Sequence, residues 1–91
     1  MSANFLIVGC GAREIAIFRN LKKNSGNRIY FYTPYTHPYV YAESSGYKCF
    51  NRQIDFSECY MYCIDKDIQY VIIGSENHIN DGLVDYINKL N

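Results

Sequence analysis

Residues 7–18 read IVGCGAREIAIF. An apolar run ends in Gly9, Cys10 and Gly11, and a helical pattern begins at once. Chain that runs from a strand through glycines into a helix is the usual connection of a parallel α/β sheet. It is also a common way to hold an anion, because the first N–H groups of a helix have no partner within it. The reading of this stretch therefore decides both the fold and the place where a ligand would sit.

Working outward, Asn4 to Gly9 is a short run of β-forming residues and reads as a buried strand. Ala12 to Lys23 places Ile15, Ala16, Phe18 and Leu21 at helical spacing, with Ile17 widening the stripe. Lys22 and Lys23 fall in its last turn, where cations oppose the helix dipole, and Asn24 to Asn27 is a stop signal. Arg28 to Thr33 reads as a second strand. Pro34 to Tyr47 is irregular, and its two prolines and Gly46 predict a loop whose tyrosines cover a site or seal the sheet edge. Lys48 to Asn51 reads as a short strand, and Phe56 to Asp65 as a helix with Asp55 or Ser57 near its N-cap. Gln69 to Gly74 reads as a central strand, and Asp81 to Leu90 as a closing helix with Leu83, Val84, Ile87 and Leu90 on one face. Strands alternating with helices predict an α/β fold: a small open parallel sheet flanked by helices.

The 91 residues suffice for one small domain with a single modest core. Hydrophobic content of 48% and aromatic content of 16% suit a packed globule. No apolar run has the length of a membrane span, and the N-terminus lacks a secretory pattern, so a cytoplasmic protein away from membranes is expected. The nine basic and nine acidic residues cancel, and Lys22, Lys23 and Arg28 are too few to predict nucleic-acid binding. Cys59 and Cys63 share one helical face, but with Cys10, Cys49, His37 and His78 they show no metal-site spacing, so reduced, buried or idle thiols and no bound metal are expected.

The glycine loop fails as a dinucleotide fingerprint. Gly9 and Gly11 fit G-x-G-x-x-G, but the third glycine position is Glu14, and the second strand ends in Thr33 and Pro34 where an acid should hold a ribose. No G-K-S/T follows, which excludes a phosphate loop of the Walker type. What remains is either a ligand site, in which the glycines admit a ligand to the backbone and Arg13 adds a positive fork, or only a tight turn. A second segment, GSEN at 74–77, also follows a strand. In open parallel sheets ligands sit beyond the carboxyl ends of strands, so Gly11, Arg13, Pro34 and Glu76 are expected at one edge. An acid at Glu76 could accept hydrogen bonds from sugar hydroxyls or an amine there, or be only a helix-start acid.

The stretch FLIVGCGAREIAI (5–17) resembles the opening of phosphoribosylamine–glycine ligase, also called glycinamide ribonucleotide synthetase, whose motif is G-x-G-G-R-E-H-A. YVIIGSENHINDGLVDYI (70–87) resembles that family's V-x-G-P-E-x-P-L-x-x-G-L-x-D segment, with Gly74, Glu76, Gly82, Leu83 and Asp85 in register. The resemblance spans essentially the whole chain. It implies a Rossmann-like domain of the kind that precedes an ATP-grasp domain, covering 1–91 and stopping before the family's last strand. It also implies that Gly9, Gly11, Arg13, Glu14, Pro34, Gly74 and Glu76 bind a phosphoribosylamine-type substrate. No catalytic residue and no cofactor are expected in this chain, since ATP and Mg²⁺ would belong to an ATP-grasp domain.

The chain departs from the family at Ala12 for a glycine, Ile15 for a histidine, Tyr35 and Thr36 for a Gly-Asn turn, Ser75 for a proline and His78 for another proline. Two readings follow. One is a detached ligase N-domain that binds a phosphoribosyl ligand and is not catalytic alone. The other is a repurposed scaffold that kept the fold, lost the site and pairs with another copy or a partner protein through an uncovered sheet edge.

Overall fold

Alternation at a period of two builds the sheet. The computed structural model describes residues 3–9, 11–35, 37–50 and 55–73. In order these form β1 (Asn4–Val8), α1 (Ala12–Leu21), β2 (Arg28–Thr33), α2 (Pro38–Glu43), β3 (Gly46–Cys49), α3 (Phe56–Asp65) and β4 (Tyr70–Ile73). All strand pairs are parallel, and the order across the sheet is β3-β2-β1-β4. Successive side chains of a strand point to opposite faces. Leu6 and Val8 of β1 and Tyr32 of β2 therefore meet Cys59 and Cys63 of α3 on one face. Ile7, Ile29 and Phe31 meet Phe18 of α1 and Val40 of α2 on the other. The result is an α/β sheet covered on both faces, as an all-parallel sheet requires.

Each layer closes with aromatic contacts. The Phe18 ring meets Phe31 edge-on at 5.0 Å, and Tyr32 tilts against Phe50 at 4.9 Å. Phe18, Phe31 and Tyr32 are fully buried, and full burial of each such side chain stabilises the fold by about 1.5–3 kcal/mol. Cys59 and Cys63 are buried thiols packed under α3. A hydrogen bond to Cys63, together with burial, pushes the Cys59 thiol well above its ordinary range.

The stretch read as a loop contains α2. Its breakers are placed where they do no harm: Pro38 stands at the first helical position, whose N–H would be unpaired in any case. His37 caps the helix, its Nδ1 accepting the Tyr39 N–H at 3.1 Å. Two of its tyrosines seal the sheet, Tyr39 packing on Phe18 and Tyr47 joining the same cluster, while Tyr35 and Tyr41 are exposed. β3 begins at Gly46, earlier than expected, paired with Tyr30, and the glycine permits this close pairing, since a side chain there would meet the Tyr30 ring at 3.0 Å. β4 lies at one end of the described sheet, not at its centre. Its apolar run fits because helices cover both faces, a pattern that does not distinguish an end strand from a middle one. The first helix stops at Leu21, and Lys22, its C-cap, pairs with Glu43 at 3.7 Å. The closing helix expected over Asp81 to Leu90 lies outside the described residues.

Candidate functional site

The order β3-β2-β1-β4 has one reversal. From β1 the chain moves to β2 and then β3 on one flank, and α3 carries it back to β4 on the other flank of β1. In open α/β sheets the crevice at such a reversal, beyond the carboxyl ends of the two strands, is where ligands bind. Val8 and Ile73 are paired across β1 and β4, so the chain leaves both strands from adjacent positions.

Gly9 opens the segment after β1. Its N–H continues the ladder, donating to Tyr32 O at 2.8 Å, but its φ of +102° leaves the strand in a conformation that side chains disfavour. A Cβ on Gly9 would also stand 2.9 Å from Glu14 Oε1. Gly11 is the N-cap of α1 with extended backbone. It has no side chain to cap with, and Glu14 acts instead: Gly11 N–H donates to Glu14 Oε1 at 3.0 Å. This is half of a capping box, and it sets the carboxylate beside the helix dipole's positive end. Arg13 is exposed, and none of the three ion pairs among the described residues includes it.

Pro34 and Tyr35 follow β2 and are exposed at the same edge. Thr33, fully buried, fixes this turn: its hydroxyl donates to Tyr35 O at 2.9 Å. Gly9, bonded to Tyr32, thus stands beside the start of the Pro34 turn. The structure places Gly9, Gly11, Arg13, Glu14 and Pro34 together at the carboxyl edge; Gly74 and Glu76 lie outside the described residues.

A second group at this edge was not foreseen from the sequence beyond its cap. Asp55 Oδ1 accepts the Glu58 N–H at 3.0 Å and caps α3. The Asp55 N–H donates to the Tyr32 hydroxyl at 3.3 Å, and that hydroxyl donates to Glu58 Oε1 at 2.6 Å. Lys48 Nζ lies 3.8 Å from the other Glu58 oxygen. Burial and the Glu58 hydrogen bond raise the Tyr32 hydroxyl far above its ordinary range near 10. The D-x-x-E spacing of Asp55 and Glu58 was the legible signal of a capping box; that a sheet tyrosine would enter it was not. The group ties α3 to β2 and leaves its polar atoms paired with one another.

Among the described residues no helix is long and apolar enough to cross a membrane, and no three His, Cys, Asp or Glu side chains gather as a metal cluster would. No curated protein and no solved structure gives a significant match to the chain. The family model of the phosphoribosylglycinamide synthetase N domain matches residues 3–91, and the four-stranded parallel sheet with flanking helices agrees with that match. By this match the chain belongs to the N-domain family of phosphoribosylglycinamide synthetase, a ligase of purine biosynthesis.

Proposed function

We propose that the chain binds a phosphoribosyl small molecule at the carboxyl edge of its sheet, in a cytoplasmic biosynthetic setting. The observation that carries this reading is the gathering of Gly9, Gly11, Arg13, Glu14 and Pro34 around the one reversal of the strand order. The family match supports it, since the model is named for a synthetase whose product carries a phosphoribosyl group. Gly9 and Gly11 bring backbone to the ligand, Arg13 offers a positive charge, and Glu14 an acceptor. Gly74 and Glu76, which the resemblance adds to this set, lie outside the described residues.

These 91 residues bind and orient; they are not catalytic alone. ATP and Mg²⁺ would be held by an ATP-grasp domain, and no cofactor is assigned to the residues of this N-domain. Glycine-dependent ADP formation by the purified 91 residues is expected to be absent, and its detection would overturn this part of the reading. Binding itself is tested by calorimetric titration of ribose 5-phosphate, a stable stand-in for a phosphoribosylamine. Saturable binding that Arg13→Ala weakens about tenfold supports the site, the loss of one charge-assisted contact being of that order. Equal affinity in both proteins opposes it.

A second reading, a scaffold that kept the fold and lost the site, draws on Tyr35. It is 56% exposed at the edge where the family has a Gly-Asn turn. On that reading ribose 5-phosphate does not bind, and β4, at the end of the described sheet, pairs with another copy or a partner protein. Concentration-dependent sedimentation that a proline at Val71 abolishes would favour it.

A further inference from the structure

We infer that residues 81–90 of this same chain dock in an apolar groove between α3 and β4. The inference concerns how the chain covers its own sheet, and it does not depend on the ligand site proposed above.

The groove follows from the way α3 sits. Positions four apart share a side of a helix, and positions two apart lie on nearly opposite sides. Cys59 and Cys63 are buried and point at the sheet. Glu58 reaches Tyr32, and the Tyr62 ring meets Tyr30 edge-on at 6.2 Å, so that flank of α3 faces β2. Tyr60 and Ile64 therefore line the opposite flank, toward β1 and β4 in the order β3-β2-β1-β4. Ile64 is 58% exposed. Beside this flank, Val71 and Ile73 of β4 point to the α3 face, pack against the cluster of Leu6 and Val8, and are only half-buried. An apolar wall and an apolar floor thus stand open along β4, where an all-parallel sheet calls for cover. The other face of β4 has no such wall. There Tyr70 stacks on Phe5 at 5.4 Å, and no large hydrophobic side chain of α1 is exposed.

The chain beyond β4 supplies the occupant. Residues 81–90 read DGLVDYINKL. On a helical wheel Leu83, Val84, Ile87 and Leu90 fall on one side, and Asp81, Asp85, Asn88 and Lys89 on the other. A helix of ten residues is about 15 Å long, and α3 also has ten residues, so the wall and the stripe match in length. The connecting residues 74–80 can reach about 23 Å when extended, well beyond the spacing of about 8–10 Å between packed helices. A stripe that needs a floor and a floor that needs a cover are joined by one short connection. A partner protein laid on α3 from outside would instead meet Met61, which stands on the side of the helix away from Cys59 and Cys63 and is 60% exposed.

The test is nuclear Overhauser spectroscopy on the full chain with labelled methyl groups. The account predicts contacts from the Ile64 methyls to Leu83 or Ile87 and none from Met61. A mixture of labelled and unlabelled chains, filtered for contacts between molecules, should be silent. Contacts that cross between molecules overturn the inference in favour of a second copy in the groove. Contacts to Met61 in place of Ile64, or an Ile64 that touches nothing in 81–90, overturn it as well. Stability gives an independent reading. Ile64→Ala and Ile87→Ala should each lower the folding equilibrium constant about tenfold in urea denaturation, and the double variant should lower it by clearly less than the product, because both remove one shared contact. Independent, multiplicative effects oppose the inference. So does a change at Ile64 of no more than about twofold, the size expected of a bare surface site.

Discussion

Of the described helices that begin at the carboxyl edge of the sheet, α1 and α3 have a glutamate at the third helical position. In α3 the N-cap is Asp55, whose side chain holds the Glu58 N–H, while Glu58 reaches back through the Tyr32 hydroxyl to the Asp55 N–H. In α1 the N-cap is Gly11, and Glu14 reaches back to its N–H directly. The first end is tied to a buried sheet side chain on a middle strand. The second is tied only to itself, across a backbone stripped of side chains at Gly9 and Gly11. One sequence device serves two purposes: at α3 it fastens a helix to the sheet, and at α1 it caps a helix end with one carboxylate that has no sheet side chain behind it.

Mutations break or sharpen this contrast. Tyr32→Ala removes a fully buried ring and the α3 tie together, and should destabilise by about 3–5 kcal/mol in urea denaturation. Tyr32→Phe keeps the ring and strips the hydroxyl from Asp55 and Glu58, costing about 1–3 kcal/mol by the same assay. Gly9→Ala forces a side chain into a backbone at φ +102° and against Glu14, with an expected loss of about 1–3 kcal/mol. Asp55→Ala removes the α3 cap, for about 1 kcal/mol. The smallest stability effect belongs to Glu14→Ala, about 0.5 kcal/mol for a half-exposed cap on a glycine N-cap. If Glu14→Ala proved as damaging as Tyr32→Phe, the two ends would be equally structural and the contrast would fail.

Alkaline pH separates the ends further. The folded state holds the Tyr32 hydroxyl protonated well past the ordinary tyrosine range, and burial lifts Tyr62 to about 12. A group with a raised folded pKa contributes stability that is intact below its unfolded value, near 10, and is lost as pH climbs toward the folded value. Urea midpoints should therefore hold to about pH 9 and fall from about pH 10 upward. Tyr32→Phe should soften that fall, and Glu14→Ala should leave it unchanged.

Much of the fold was legible because period and punctuation agree. Arg28–Thr33 and Phe56–Asp65 have the bounds read from the sequence, and of Asp55 and Ser57 it is Asp55 that caps α3. α2 was hidden because proline and glycine mark turns and also mark helix starts and close packing. Pro38 opens a helix and Gly46 makes room for Tyr30. The place of β4 at the end of the described sheet was hidden because strand order depends on which face each crossover takes, and a run such as YVII carries no trace of that. At the site, the residue types at Gly9, Gly11, Arg13 and Glu14 were readable. That the Glu14 carboxylate fills the space over the glycines was not, since it follows from one side-chain geometry that spacing alone does not dictate.

The central claim, a ligand site at the reversal between β1 and β4, is tested most directly by mapping amide shifts in the labelled chain as ribose 5-phosphate is added. The account predicts saturable shifts at Gly9, Gly11, Arg13 and Glu14, with the N-terminal turn of α3 from Asp55 to Cys59 undisturbed. No shifts at millimolar ligand, or shifts centred on Asp55 to Cys59, would contradict it.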